Sequence, residues 1–169
     1  MTTTINASTS SGLVVTPDNS GNVVLQYNGV AAPAFSVYRS GNQTFSSNTW
    51  TKIAFNTEEF DTANCFDSTT NYRFTPNVAG YYQFNFNAIA PTASRTSELQ
   101  VFLYKNGSQY KSGIDITSSS GVVMLGGSAT AYANGTTDYF EFYLYTGTGG
   151  TITGSQVYTY FQGFLARAA

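Results

Sequence analysis

Apolar and polar residues alternate along most of this chain with the two-residue spacing of β-strands, not the 3.6-residue spacing of helices. Clusters rich in Gly, Asn and Ser separate these runs at intervals typical of an all-β sandwich. We therefore expect almost no helix. The strands predicted beyond residue 33 are Phe35–Arg39, Thr51–Phe55, Gly80–Ala90, Glu98–Lys105, Gln109–Ile114, Gly121–Tyr132, Asp138–Tyr145 and Gln156–Ala166.

The last two predicted strands carry aromatic residues on both of their faces. A monomeric sandwich buries only one face of each sheet, so strands that are apolar on both faces imply a second covered surface. Self-association is the simplest cover. The alternative is that the tyrosines are exposed to solvent as amphipathic groups. The interface candidates are Tyr139, Tyr143, Tyr145, Tyr158 and Tyr160.

The first 32 residues differ from the rest of the chain. A polar opening is followed by two short β-branched runs on either side of a turn cluster at residues 17–21, which predicts a hairpin. An isolated two-stranded hairpin is marginal in water, so residues 1–32 are expected to form a hairpin or extended arm that needs a partner surface. Residues 33–169 then form the head. The candidate attachment residues are Leu13, Val14, Val15, Val23, Val24 and Leu25.

Charge and cysteine content exclude several functions. The net charge is −2 and the seven basic residues are scattered, so nucleic acid is not an expected partner. The sequence shows neither a signal peptide nor an apolar run long enough to span a bilayer, so we expect no membrane insertion and synthesis in a cytosol. Cys65 is the only cysteine, which excludes an intrachain disulfide.

Catalytic chemistry has few candidate residues. The chain has no histidine, which removes Ser-His-Asp and Cys-His arrangements and the commonest metal ligand. The one acidic cluster suits either a carboxylate pair for polysaccharide cleavage or a Ca²⁺ ion. Its adjacent glutamates face opposite sides of an extended chain. We therefore predict a protein without catalytic residues or cofactor, with Ca²⁺ as the alternative at Glu58, Glu59, Asp61 and Asp67.

Trp50 is the only tryptophan and stands beside a predicted strand start. Two roles stay open for it, which are packing within the fold and stacking on a sugar ring through its aromatic face.

One segment resembles a known family. Its aromatic residues, one Asp and one Gly follow in a fixed order and end in Gly-x-Tyr-x-Phe-x-Phe: Phe55, Asp61, Phe66, Phe74, Gly80, Tyr82, Phe84 and Phe86. This set is similar to the signature of the complement component 1q family, although the spacing from Phe66 to Phe74 is one residue longer here. Further residues match near the end of the chain, namely Phe161, Gly163 and Leu165.

The resemblance implies a ten-stranded jelly-roll sandwich of two antiparallel sheets, like that of the tumour-necrosis-factor superfamily. It also implies a homotrimer that binds ligands without catalysis. The chain lacks the Gly-X-Y stalk of the animal immune proteins. Residues 11–35 instead resemble segments that precede such domains in bacteriophage structural proteins.

These resemblances lead to a functional expectation. We expect a virion surface protein, made in the host cytoplasm, that serves as a capsid decoration, fibre or tail-fibre tip. Its arm would dock on capsid or tail proteins, and its head would face a host surface glycan or receptor. The alternatives are a secreted complement 1q-like ligand unrelated to virions and a small polysaccharide-cleaving enzyme.

Overall fold

A computed structural model describes residues 26–27, 30–92, 97–118 and 121–169, and none of these residues is helical. The strands are β1 Gln26–Tyr27, β2 Val30–Ala31, β3 Ala34–Tyr38, β4 Gln43–Phe45, β5 Thr51–Lys52, β6 Thr57–Asp61, β7 Phe66–Asp67, β8 Arg73–Phe74, β9 Gly80–Thr92, β10 Ser97–Lys105, β11 Ser108–Ser118, β12 Gly121–Ala133, β13 Phe140–Thr146, β14 Gly150–Ile152 and β15 Tyr160–Ala168.

Two antiparallel sheets form the sandwich. The five-stranded sheet has the order β12-β9-β15-β3-β6. The six-stranded sheet has the order β11-β10-β13-β8-β7, and β5 also pairs with β13. Two small ribbons, β14 with β4 and β1 with β2, complete the pairing. The predicted all-β sandwich of two antiparallel sheets is confirmed.

Strand boundaries differ from the prediction mainly where strands are short. The strand predicted at Thr51–Phe55 stops at Lys52, because the amide of Phe55 donates to the carbonyl of Ile53 and turns the chain away. The last strand begins at Tyr160, four residues later than predicted, since a turn precedes it. Seven strands of two to five residues were not predicted, because runs that short show no periodic pattern: β1, β2, β4, β6, β7, β8 and β14.

Phenylalanine rings fill the space between the two sheets. Phe35 of the five-stranded sheet stacks on Phe74 of the six-stranded sheet with ring centroids 4.3 Å apart. Phe84 and Phe140 meet across the same space at 4.6 Å. The residues of the family signature therefore lie mainly in the core, since all of its aromatic members are buried. Asp61 has a different role, because its carboxylate accepts the amides of Ala63 and Phe66 and closes the loop after β6.

Two glycines have clear structural roles. Asn106 and Gly107 both have positive φ, 53° and 77°, and join β10 to β11 in a tight turn. Gly80 is the first residue of β9. A Cβ atom there would lie 2.4 Å from the carbonyl oxygen of Arg167, so Gly80 is required for close approach of β15.

Only part of the predicted arm lies within the described residues. Its attachment candidates lie outside the described residues: Leu13, Val14, Val15, Val23, Val24 and Leu25. Tyr27 pairs with Val30 in the β1-β2 ribbon. Two residues at the end of the arm region are bonded to the head: the carbonyl of Ala32 accepts the Thr62 hydroxyl, and the carbonyl of Pro33 accepts the amide of Leu165.

Gly163 tests the tight packing of this core. A Cβ atom at this position would lie 2.7 Å from Phe84 and 2.9 Å from Phe35. Gly163→Ala should lower the free energy of unfolding by about 1–3 kcal/mol, because the rings must move. Denaturant unfolding measures this difference. Gly41→Ala is the matched control, since a Cβ atom at Gly41 meets nothing within 4 Å. Equal stability of the two variants would contradict the close contact.

Candidate self-association surface

The outer face of the five-stranded sheet exposes large apolar side chains in the single chain. Phe164 of β15 is 47% exposed, Tyr81 of β9 is 46% exposed and Met124 of β12 is 51% exposed. Tyr132 pairs with Tyr81 across the two strands, with ring centroids 5.5 Å apart. On the neighbouring edge strand β6, Phe60 is also exposed. Apolar groups that extend over several adjacent strands are typical of an interaction surface.

Charge is nearly absent from this sheet. Strands β3, β9 and β12 contain no charged residue, and β15 contains only Arg167. The remaining charges of the sheet lie on the edge strand β6. Every strand of the six-stranded sheet, in contrast, carries at least one charged residue. The five-stranded sheet therefore has a face that can be covered without burying ionised groups.

Polar side chains of β9 and β12 cross the middle of this face and hydrogen-bond to one another. The Gln83 amide donates to the Ser128 hydroxyl at 2.6 Å, and that hydroxyl donates to Asn85 at 2.9 Å. The Thr130 hydroxyl donates to Gln83 at 2.9 Å. Polar groups that are already paired within the chain cost little when a partner removes them from water.

On the outer face of the six-stranded sheet, the aromatic side chains pack on one another within the chain. Trp50 meets Phe102 edge to face at 5.1 Å and lies 5.2 Å from Tyr145. Tyr104 stacks on Tyr143 at 3.9 Å. These five rings are hereafter called the Trp50 cluster. None of them is among the strongly exposed large apolar side chains of the described residues.

The predicted interface tyrosines fall on opposite faces of the sandwich. Tyr143 and Tyr145 belong to the Trp50 cluster, and the guanidinium of Arg73 lies 4.3 Å from the ring centre of Tyr139. Tyr160 lies on the outer face of β15, and Tyr158 lies in the turn before it, where its carbonyl accepts the Asn87 amide. One continuous interface cannot contain both groups. Only Tyr158 and Tyr160 lie with the uncharged sheet.

Sequence reasoning did not assign several exposed members of this surface to an interface. Tyr81, Met124, Tyr132 and Phe164 lie on strands whose positions were predicted, at the alternate positions opposite the core residues. The missing signal was the absence of charge along three whole strands, which is readable in the sequence once the strands are assigned.

The four carboxylates considered for catalysis or Ca²⁺ are each used by nearby donors. Ser68 donates to Glu58, and hydrogen bonds from Gln156 and Ser36 lower the pKa of Glu59. Backbone amides of Thr70 and Thr69 lower the pKa of Asp67 well below its usual range. Within the described residues no group of three or more acidic, histidine or cysteine side chains is arranged to hold a metal ion. The Ca²⁺ alternative at Glu58, Glu59, Asp61 and Asp67 stays a prediction.

The fold belongs to a recognisable structural class. Murine APRIL at pH 5.0 superposes with a TM-score of 0.60 at 7% identity, covering 79% of this chain and 98% of that chain. The Eiger TNF of S. frugiperda superposes with a TM-score of 0.55 at 9% identity, covering 82% of this chain and 94% of that chain. Identities this low establish the fold alone. The chain is a jelly roll of the tumour-necrosis-factor type.

The family follows from the sequence match. Residues 34–166 match the model of the C1q domain, which is most of the chain, and the protein therefore belongs to the C1q domain family. No curated protein sequence matches it. In the part of the chain that the structure describes, no helix is long and apolar enough to cross a membrane.

Proposed function

We propose that this protein is a non-enzymatic C1q-like head that assembles as a homotrimer through the outer face of its five-stranded sheet. One observation carries the proposal. Strands β3, β9 and β12 of this sheet contain no charged residue, while aromatic and apolar side chains are exposed on β9, β12 and β15. The family resemblance implies the same number of copies. The six-stranded sheet needs no such cover, because the Trp50 cluster packs within the chain.

Assembly is tested by placing a charge on this face. Wild-type protein at micromolar concentration is expected to sediment as three chains. Phe164→Asp should shift the protein to folded monomers, because an unpaired carboxylate opposes burial between chains. Phe164 is 47% exposed in the single chain, so the monomer itself should keep its fold. Sedimentation equilibrium and circular dichroism measure the two properties.

The control for this experiment is Thr44→Asp, which adds the same charge at an exposed position of β4, outside the five-stranded sheet. It should remain trimeric. Trimers that persist in Phe164→Asp, or a wild-type protein that is monomeric, would remove the assembly proposal.

The non-enzymatic part of the proposal is supported by the use of the acidic residues. The chain has no histidine, and the carboxylates of Glu59 and Asp61 accept hydrogen bonds from their own chain. Both groups thus act as fixed acceptors within the fold, and nothing positions them as an acid and base pair on either side of a substrate bond.

Incubation with capsular or outer-membrane polysaccharide should accordingly release no new reducing ends. A reducing-sugar assay measures this. Release that disappears in Glu58→Gln, Glu59→Gln or Asp61→Asn would instead assign a polysaccharide-cleaving enzyme.

We further propose that the head is located on the surface of a virion. Its support is the Ser- and Thr-rich arm of residues 1–32 and the similarity of residues 11–35 to segments of bacteriophage structural proteins. In this setting the arm docks on capsid or tail proteins, and the head faces a host surface glycan or receptor. The competing setting is a secreted C1q-like ligand, which agrees equally with membership of the family.

Deletion of residues 1–30 distinguishes these settings. The truncated head should keep its fold and its melting temperature, because it retains Ala32 and Pro33, whose carbonyls accept hydrogen bonds from Thr62 and Leu165 of the head, and all strands of the two sheets. It should no longer copurify with particles, since strand pairing by the arm is the expected mode of docking. Thermal unfolding and particle sedimentation measure the two effects. Truncated heads that still copurify with particles would place attachment on the jelly roll instead.

A further inference from the structure

Gln162 stands at the centre of the outer face of the five-stranded sheet. It lies on β15, the middle strand in the order of this sheet, between Tyr160 and Phe164 on the same face. Across the sheet it pairs with Asn85 of β9 and with Ser36 of β3. The centre of an interface is the part that binding removes most completely from water. Gln162 is therefore the residue whose surroundings change most when a second copy covers this face.

The polar neighbours of Gln162 are paired within the chain, whereas Gln162 itself is not. The side-chain oxygen of Asn85 accepts the Ser128 hydroxyl at 2.9 Å, and the Ser36 hydroxyl donates to Glu59. Neither the Nε2 nor the Oε1 atom of Gln162 hydrogen-bonds to another described residue. In the single chain this half-buried amide remains accessible to water. Its donor and its acceptor are both available to a partner copy.

Covering the face changes what this amide requires. An amide that loses water without gaining hydrogen bonds opposes burial, so a stable assembly must supply a partner for it. The strands on either side of β15 in the sheet, β9 and β3, contain no charged residue. The centre of the face therefore favours a neutral partner that can both donate and accept.

Rotational symmetry indicates which group that partner is. In a cyclic assembly of identical chains, a residue close to the rotation axis meets the same residue of the other copies. Each member of such a ring must donate to one neighbour and accept from the other. A glutamine amide does both, whereas an ionised carboxylate only accepts and an ammonium only donates.

We propose that the Gln162 side chains of three copies meet at the axis of the assembly and hydrogen-bond to one another in a closed ring. The Nε2 atom of each copy donates to the Oε1 atom of the next. This inference rests on the proposed trimer and deepens it, because it names the contact that fixes how the copies face one another. A single polar residue in an otherwise apolar interface can specify register and the number of chains in this way.

Gln162→Glu tests the ring through electrostatics. Three carboxylates at one axis repel one another, and like charges raise their pKa values. The variant should therefore sediment as folded monomers at about pH 8 and recover trimers as the pH falls to about 5, where the raised pKa lets the carboxylates take up protons. Sedimentation equilibrium measures the assembly, and circular dichroism checks the fold at each pH.

Two controls separate this effect from a general effect of charge or pH. Gln109→Glu makes the same change at an exposed glutamine of β11, on the other sheet, and should stay trimeric throughout. The wild-type protein should also stay trimeric over this range. Its profile contains the effect of the other charged residues of the five-stranded sheet, which are Glu58, Glu59, Asp61 and Arg167.

Mixing two variants tests whether Gln162 meets its own equivalents. Gln162→Lys alone should be monomeric at about pH 7, whereas its mixture with Gln162→Glu should assemble, because opposite charges then meet at the axis. A mixture that stays monomeric, or a Gln162→Glu variant that is trimeric at every pH, would overturn the ring while trimers of the wild-type protein leave the proposed assembly intact. Wild-type protein that is monomeric would instead remove the assembly and the ring together.

Discussion

The fold depends on filling the space between two sheets with phenylalanine rings. Of the thirteen phenylalanines in the chain, ten are buried, so nearly the whole supply of this residue is used in the core. Rings this large need room on the neighbouring strands of the same sheet. That room is provided by glycine at Gly163, beside Phe84 and Phe35, and at Gly127, beside Phe86. The alternation of bulky and minimal residues keeps the sheets close-packed.

The phenylalanine core also determines what the outer faces must contain. Along each strand, positions that face the core alternate with outward positions, and many of the outward positions hold tyrosine. The two sheets differ in how these outward side chains are covered. On the six-stranded sheet Trp50 folds over the face and packs with Phe102, Tyr104 and Tyr145. No such side chain covers the described part of the five-stranded sheet, where Tyr81 and Phe164 remain about half exposed.

Sequence reasoning succeeds where a pattern is long and local. The alternation of Phe140, Phe142 and Leu144 with Tyr143 and Tyr145 predicts both the strand and the direction of its side chains correctly. It cannot show that Trp50, from the loop before β5, covers the outer tyrosines, because that contact depends on tertiary structure. Tyr143 and Tyr160 therefore look equivalent in the sequence, although one packs within its own chain and the other lies on the uncharged face.

The short strands and the acidic cluster also depend on tertiary contacts that the sequence does not show. Strands β7 and β8 contain two residues each, and their pairing exists only because Phe66 and Phe74 enter the core together. The partners of Glu59 come from Ser36 and Gln156, which are remote in sequence. Proximity along the chain suggested a shared carboxylate site, whereas the β-sheet gives each carboxylate its own set of donors.

The point at which the arm joins the head lies beside the proposed self-association surface. Ala34, the first residue of β3, pairs with Phe164, which belongs to the exposed apolar end of the five-stranded sheet. Assembly through that sheet, as proposed, would bring the first strands of the copies toward one another. The Trp50 cluster lies on the outer face of the other sheet, where its rings pack on one another within the chain. The two outer faces of the sandwich thus differ, because Tyr81 and Phe164 on the five-stranded sheet remain about half exposed and are the groups that a partner chain would cover.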